Sequence, residues 1–183
     1  HMNLVKINMS SGQISTEPFP QPSEIKMPLG GRATVDYLLT LFGFPAAHPL
    51  SEENQFIIAP GFFGGTAAPS SGRLSIGAKS PLTGGIKEAN VGGPAGHKLM
   101  RLGIQAIMIT GKAKEWKVLK VDSRGISLEP AQDIVGMDNY IACDKLRSRY
   151  GERTSILIVG PAGEKKYLNS TVGATDNEGR PCR

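Results

Sequence analysis

Two hairpins are the clearest elements in the pattern of apolar and polar residues. Apolar residues alternate with polar ones over residues 4–9 and again over residues 13–16, on either side of a Ser-Ser-Gly turn. The same pattern recurs over residues 118–122 and 126–130, around Ser-Arg-Gly. Each pair predicts two antiparallel strands joined by a short turn.

A helix and a buried strand are predicted after each hairpin. Residues 33–43 and 139–151 show the apolar spacing of a helix, and both stretches close with glycine. Residues 55–61 and 155–163 are apolar runs that stop at turns containing proline and glycine. Because hairpin, helix and strand occur twice in the same order, the pattern indicates an internal duplication.

Between the two copies, residues 92–103 predict a short helix and residues 104–110 a buried strand. The predicted fold class is α+β and strand-rich, with two mostly antiparallel sheets from the duplication and a few short helices. We expect one domain over residues 3–183, after a tag remnant at His1-Met2. The two similar halves are expected at about residues 3–85 and 104–183.

Composition favours a soluble, cytoplasmic protein. No apolar run among the 183 residues approaches the ~20 needed to cross a bilayer. Cys143 and Cys182 belong to no metal-ligand spacing, which is typical of a reducing compartment. The net charge of +5 fits a polyanionic partner, but the basic residues are scattered and aromatic residues are few. A small ligand that bears phosphate therefore fits better than nucleic acid.

The stretch from residue 59 to residue 96 is rich in Gly, Pro, Ser and Thr and cannot all be regular structure. Glycine lets the backbone approach a ligand closely, exposed N–H groups bind anions, and Arg or Lys adds charge. The composition therefore suits a phosphorylated cofactor, and turns of a strand-rich domain are the alternative interpretation. Neither a Gly-x-Gly-x-x-Gly nor a Gly-Lys-Ser/Thr loop is present.

Six glycine-containing segments follow one another in a characteristic order and spacing. They are Gly30-Gly31-Arg32, Pro69-Ser70-Ser71-Gly72-Arg73, Lys79-Ser80-Pro81-Leu82-Thr83-Gly84, Asn90-Val91-Gly92-Gly93 with Gly96, Ala106-Ile107-Met108-Ile109-Thr110-Gly111-Lys112-Ala113, and Gly160-Pro161-Ala162-Gly163-Glu164. The series resembles the N-terminal domain of the aldehyde ferredoxin oxidoreductase family, from about Leu4 to the last residue.

The resemblance implies a base of two sheets that binds a bis-pterin cofactor carrying tungsten, or sometimes molybdenum. In that family, two further helical domains supply a 4Fe-4S cluster and the pocket where an aldehyde or related substrate is oxidised, with ferredoxin as electron acceptor. The chain lacks those domains, so it is expected to be inactive as an isolated fragment, while the parent protein is expected to be an oxidoreductase.

The resemblance also assigns candidate cofactor-binding residues. Arg73 matches an arginine that lies between pterin and cluster, and a surface salt bridge is its alternative role. Asn90 matches an asparagine whose backbone carbonyl helps to hold a magnesium ion between the two pterin phosphates. Weaker matches for pterin or phosphate contact are Lys79, Gly92, Gly93 and Arg32.

The C-terminal residues resemble the start of an arginine-rich loop that contacts phosphate in the family, which makes Arg180 and Arg183 further candidates. Pro181-Cys182 departs from the small residues usual there, and residues 59–66 differ from the family pattern. The substrate class is therefore left open.

The expected partners are the remaining domains or subunits of the enzyme and ferredoxin, with no membrane and no nucleic acid; homo-oligomerisation stays open. One alternative function is that of a stand-alone binding or interaction protein that kept the fold without catalysis. A basic nucleic-acid-binding domain ranks last, and it would show steeply salt-dependent binding.

Overall fold

A computed structural model describes residues 2–182 of the chain. These residues form eleven strands, four α-helices and one 3-10 turn, at Gln132–Ile134. The strands are β1 (Asn3–Asn8), β2 (Gln13–Pro18), β3 (Phe56–Pro60), β4 (Leu74–Lys79), β5 (Ile86–Val91), β6 (Ile104–Thr110), β7 (Lys117–Asp122), β8 (Gly125–Pro130), β9 (Leu157–Ile158), β10 (Gly173–Thr175) and β11 (Pro181–Cys182). The helices are α1 (Arg32–Phe42), α2 (Ala95–Arg101), α3 (Asn139–Tyr150) and α4 (Gly160–Glu164). None of the helices in this part of the chain is long and apolar enough to cross a membrane.

A six-stranded sheet forms the centre of the first half. Its strand order is β2-β1-β6-β3-β4-β5, and all neighbours are antiparallel except β1 and β6, which are parallel. The first five residues of β6 are buried, and its sequence is almost continuously apolar. Such a strand is typical of the middle of a sheet covered on both faces. The strand predicted over residues 104–110 is confirmed.

Apolar cores cover both faces of this sheet. Helix α1 contributes Val35 and Leu38 to the core on one face, which we call the first core. Helix α2 contributes Leu99 to the core on the opposite face, the second core. Ile57 and Ile58 of β3 belong to opposite cores, as expected for consecutive residues of a strand.

The second half contains two smaller sheets and a third core. The hairpin β7-β8 is a two-stranded sheet, and β9, β10 and β11 form an antiparallel sheet in the order β11-β10-β9. Asp138 caps the N-terminus of helix α3, and its carboxylate accepts the N–H groups of Tyr140 and Ile141 at 2.9 and 3.1 Å. The helix contributes Cys143 and Leu146 to the third core.

The α+β, strand-rich class with mostly antiparallel sheets is confirmed. Two sheets were predicted, whereas the strands of the described residues form three hydrogen-bonded sheets. The central strand β6, expected to open the second half, belongs to the sheet of the first half. The division into one domain of two similar halves remains a prediction.

One predicted strand is much shorter than expected. The run over residues 155–163 contains only the two residues of β9 before α4 begins. Val159 already has helical backbone angles, and Pro161 lies in the first turn of the helix, where its fixed φ favours helix formation. The Gly-Pro pair therefore starts a helical turn instead of ending a strand in an open loop.

The hairpin β4-β5 lies within the stretch that the sequence described only as loop-rich. The six pairs of this hairpin run from Leu74↔Val91 to Lys79↔Ile86. β5 is the outer strand of the large sheet and is mostly exposed, so its sequence lacks the alternation that marks a half-buried strand. This hairpin carries most of the candidate site residues.

Candidate functional site

Arg73 and Asn90 are in direct contact. Arg73 immediately precedes β4, and Asn90 lies near the end of β5 on the adjacent strand. The Arg73 Nε–H donates to Asn90 Oδ1, and Nη2 donates to the Asn90 backbone oxygen at 3.3 Å. Of the five N–H donors of a guanidinium, two are used here, which leaves three for another acceptor.

The N-terminus of α1 lies against the same part of the hairpin. Asn90 Nδ2 donates to Ser75 Oγ at 3.3 Å, and Ser75 is the cross-strand partner of Asn90. A Cβ on Gly31, which has φ +55° and precedes the first residue of α1, would lie 3.4 Å from that Oγ. The Gly-Gly-Arg segment is thus brought next to the Arg73–Asn90 pair.

Arg32, the first residue of α1, pairs with a buried carboxylate of β5. Its Nε lies 2.7 Å from Glu88 Oε2, and the side chains are 72% and 8% exposed. Glu88 is two residues before Asn90, so both side chains are on the same face of β5. Glu88 Oε1 is buried and has no hydrogen-bond partner. Glu88 could not be identified from the sequence, because an isolated Glu in a polar segment gives no signal.

Gly92 and Gly93 continue from β5 past the arginine. A Cβ on Gly92 would lie 3.8 Å from Arg73 Nη1, so the absence of a side chain keeps the space at the guanidinium open. Gly93 has φ +102°, and a Cβ there would lie 2.5 Å from the backbone oxygen of Thr175. The first glycine is therefore next to the open side of Arg73, and the second packs against the C-terminal part of the chain.

His97 ties two glycine loops together. Its Nδ1 accepts the backbone N–H of Gly65 at 2.8 Å, and its ring packs where a side chain on Gly72 would have to lie. Helix α2 itself approaches closely, since a Cβ on Gly96 would lie 2.6 Å from the Gly72 backbone oxygen. His97 therefore fixes the loop that leads into Arg73.

Arg180 belongs to a turn that starts next to Gly93. A Cβ on Gly93 would lie 3.9 Å from the Cα of Asp176, and Asp176 Oδ2 accepts from Arg180 Nε at 3.0 Å. Backbone N–H donation from Arg180, followed by donation from its side chain, holds the pKa of Asp176 below its usual value. Glu178 also pairs with Arg180, at 2.9 Å.

Of the remaining candidates, Lys79 lies elsewhere in the fold, and Arg183 is not among the residues that the structure describes. Lys79 lies at the opposite end of β4 from Arg73, about 20 Å away for a six-residue strand. Its Nζ donates to the Pro45 backbone oxygen at the edge of a separate hollow of about 410 Å³, which Phe44 and Gln55 help to line. Arg183 lies outside the described residues.

The arrangement fits an anionic ligand. Arg73 supplies positive charge, Arg32 adds an exposed guanidinium beside its Glu88 partner, and bare glycine backbone allows close approach. Within residues 2–182, no group of three or more His, Cys, Asp or Glu side chains could hold a metal. A metal bound here would need backbone oxygens or ligands from a cofactor.

Comparison with known proteins gives one family over nearly the whole chain. The family model described as the aldehyde ferredoxin oxidoreductase N-terminal domain matches residues 4–182. A tungsten-containing aldehyde ferredoxin oxidoreductase of Pyrococcus furiosus is 37% identical over 162 residues, which is 88% of this chain and 27% of that protein. Glyceraldehyde-3-phosphate:ferredoxin oxidoreductase of the same organism is 32% identical over 146 residues, covering 69% of this chain and 21% of the relative.

A solved structure shares the fold. The active-site complex BamBC of benzoyl coenzyme A reductase, in complex with 1,5-dienoyl-CoA, superposes with a TM-score of 0.88 at 21% identity. The superposition covers 97% of this chain and 28% of that one. The chain thus spans between about a fifth and little more than a quarter of the length of these proteins.

Proposed function

The chain belongs to the aldehyde ferredoxin oxidoreductase family, and we propose that it binds the pterin cofactor of a tungsten or molybdenum oxidoreductase completed by further polypeptide. The observation that carries the proposal is the contact between Arg73 and Asn90, with Gly92 at the open side of the guanidinium. Residues far apart in the sequence are brought to one surface that combines positive charge with bare backbone.

The chain's own residues would hold and orient the cofactor. Arg73 uses Asn90 as a fixed support and presents its three remaining donors to phosphate or to the pterin ring. Arg32, held at 2.7 Å by the buried carboxylate of Glu88, keeps an exposed guanidinium beside this surface for contact with phosphate. Bound there, the metal–pterin group would supply the redox chemistry of substrate oxidation.

Arg73 has a further expected role in the complete enzyme. A guanidinium between pterin and iron–sulfur cluster can hydrogen-bond to both, which fixes their separation and orientation. The fixed support from Asn90 would prevent the side chain from turning toward water. In this proposal the cluster itself is held by domains that this chain does not include.

Magnesium would bind at the Asn90 backbone carbonyl. The Asn90 carbonyl, the proposed ligand, accepts a hydrogen bond from Arg73 Nη2 at 3.3 Å. A guanidinium repels a divalent cation at that distance unless anionic groups lie between them. Pterin phosphates would supply those groups, so magnesium should bind only together with the cofactor, and Arg180 would add phosphate contacts.

The substrate and the electron acceptor follow from the relatives. Proteins named for aldehyde and for glyceraldehyde-3-phosphate both match this chain, so an aldehyde-type substrate is proposed for the whole protein, with ferredoxin as acceptor. Substrate pocket and iron–sulfur cluster would come from the further polypeptide, and the isolated chain would bind without turnover.

Metal analysis of the longer polypeptide encoded by the gene tests the proposal. Expression without oxygen, in medium with tungstate or molybdate, should give protein that contains one of these metals and releases a fluorescent oxidised pterin. Protein that is folded by circular dichroism but contains neither metal nor pterin would overturn the proposal.

A further inference from the structure

The hollow that Lys79 borders is a second concave site, at the far end of β4 from Arg73. Its volume is about 410 Å³, which is within the range of sites that bind small molecules. The lining residues come from four parts of the chain, residues 36–45, residues 53–55, Lys79 and residues 84–86. Because a six-residue strand separates it from Arg73, the hollow is distinct from the proposed cofactor surface.

The lining of the hollow carries more negative than positive charge. Among the described residues, the charged ones that line it are Asp36, Glu53 and Lys79. Neither carboxylate forms an ion pair or accepts a side-chain hydrogen bond within residues 2–182, since the bond from Thr40 Oγ1 at 2.8 Å goes to the backbone oxygen of Asp36. The chain as a whole has a net charge of +5, so the hollow is locally opposite in sign.

The C-terminal end of α1 adds partial negative charge to one wall. The dipole of a helix places negative charge at this end, where the last carbonyl groups have no partner within the helix. No basic residue lies in the last turn of α1. Gln55, on the adjacent wall, donates its Nε2–H to the Phe42 oxygen, and its Oε1 is buried without a hydrogen-bond partner. That oxygen adds an uncompensated dipole beside the hollow.

Lys79 does not neutralise the two carboxylates. Its Nζ donates to the Pro45 backbone oxygen and, within the part of the chain that the structure describes, forms no ion pair with Asp36 or Glu53. The contact also shows that the edge of the hollow can hold an ammonium group. The charges therefore favour a cationic ligand over an anionic one.

Apolar side chains form the rest of the lining. Leu39, Phe44 and Ile86 border the hollow, and Phe44 and Ile86 are 53% and 57% exposed. A ligand with a carbon chain would cover this apolar surface, whereas a bare metal ion would leave it in water. In residues 2–182, moreover, no group of three or more His, Cys, Asp or Glu side chains could hold a metal ion. The chemistry thus points to an organic cation.

We propose that the hollow binds a small aliphatic amine. The ammonium group of the ligand pairs with the carboxylates of Asp36 and Glu53, and its carbon chain packs against Leu39, Phe44 and Ile86. This site is additional to the cofactor surface at Arg73, and its ligand can be studied without the cofactor.

A titration of the 183-residue chain with hexan-1-amine tests the proposal. The amine is protonated at pH 7, as that of a lysine is, and its chain can cover the apolar wall. Calorimetry in about 0.15 M salt, which screens distant charges, should show saturable binding with a Kd of about 1 mM or below. By NMR, the amide signals of Gly84 and Gly85 should shift with the same Kd, while those of Gly92 and Gly93 stay in place. Absence of saturation up to about 20 mM would overturn the proposal.

Two analogues of the probe separate charge from apolar contact. Hexan-1-ol and hexanoate have the same number of carbon atoms as the amine but no positive charge. The alcohol should bind at least about tenfold more weakly than the amine, because it lacks the charge-assisted hydrogen bonds, and hexanoate more weakly still. Equal affinity for amine and alcohol would indicate a purely apolar groove and would overturn the proposal.

Three carboxylate variants provide matched controls. Asp36→Asn and Glu53→Gln should each weaken binding of hexan-1-amine about fivefold or more. Glu52→Gln removes the same charge from the neighbouring residue, which accepts from Ser10 Oγ at 2.9 Å and does not line the hollow, so its Kd should stay within about twofold. All three positions are exposed, and circular dichroism verifies that the variants are folded. Equal losses in Glu52→Gln and Glu53→Gln would overturn the proposal.

Lys79→Met distinguishes an amine site from an anion site. Removal of its ammonium group should leave the affinity for hexan-1-amine unchanged or increase it, because a like charge is lost from the edge of the hollow. Hexanoate that binds more tightly than the amine, and loses its affinity in Lys79→Met, would assign the hollow to anions and overturn the proposal.

Discussion

Arg73 donates to both oxygens of Asn90, that of the side chain and that of the backbone. The two residues are seventeen positions apart and lie at the same end of the hairpin β4-β5. Asn90 thereby fixes the plane of the guanidinium, and the remaining donors face the glycine backbone after β5. An arginine held in this way is oriented before a ligand arrives, which lowers the entropic cost of binding.

Replacing Arg73 by Lys should impair cofactor binding more than folding. A lysine keeps the charge but cannot contact two oxygens of Asn90 and a ligand in one plane. Because the pair is exposed, the free energy of unfolding should change by about 1 kcal/mol or less. Metal and pterin content of the longer protein should fall several-fold, whereas the remote Arg124→Lys should have no effect. Full cofactor content in Arg73→Lys would contradict the proposed role.

Substitution by alanine should destabilise the protein more at Gly93 than at Gly92. At Gly93 the positive φ and the Thr175 oxygen at 2.5 Å both oppose a Cβ, so Gly93→Ala should cost about 2 kcal/mol or more. At Gly92 the nearest atom is 3.8 Å away, and the cost should stay below about 1 kcal/mol. Urea denaturation of both variants measures the difference. Equal destabilisation would show that the chain segment after β5 is placed differently.

The contribution of His97 to stability should come from the hydrogen bond that its Nδ1 accepts, and not only from the packing of its ring. His97→Ala leaves the Gly65 N–H without its partner and should lower stability by about 1–3 kcal/mol. His97→Asn places an amide oxygen near the position of Nδ1 and should recover part of the loss. Thermal denaturation of the 183-residue chain distinguishes the two. An alanine variant as stable as the asparagine variant would show that the hydrogen bond contributes nothing.

The two cysteines should differ in reactivity toward iodoacetamide. Cys143 is fully buried, and burial raises the pKa of its thiol from 9.0 to about 11, whereas Cys182 is exposed. At pH 8 the native chain should gain one adduct, at Cys182, because the thiolate is the reactive form. The raised pKa means that the stability contributed by the neutral Cys143 thiol is complete below pH 9.0 and is lost as pH rises toward about 11. Mass spectrometry would contradict this placement if Cys143 were modified in the folded chain at pH 8.

The elements with strong periodicity were predictable from the sequence. Both hairpins, helices α1 and α3, and the apolar strand β6 were expected within a few residues of their observed bounds. The hairpin β4-β5 was not, because an exposed edge strand buries too little to show alternation. The strand predicted over residues 155–163 is only two residues long, because Gly160 and Pro161 support a helical turn as readily as an open one.

The candidate site was only partly predictable. The spacing of residues along the sequence does not predict a contact between Arg73 and Asn90. Both were identified as candidates by the family resemblance. Their contact depends on the strand register, which no local pattern specifies. Glu88 and His97 gave no signal in the sequence, since a buried orphan oxygen and a tether between loops are properties of the folded chain.

The most direct test of the account is the metal and pterin content of the longer protein with leucine at Gly92, compared with leucine at Gly85. A side chain at Gly92 fills the space at Arg73 Nη1, whereas a Cβ at Gly85 meets no atom closer than 3.8 Å and lies at the other end of the hairpin. Gly92→Leu should remain folded and lose most of its tungsten or molybdenum and its pterin, while Gly85→Leu should retain both. A Gly92→Leu protein with the full content of metal and pterin would contradict the claim that the cofactor lies against Arg73 and Asn90.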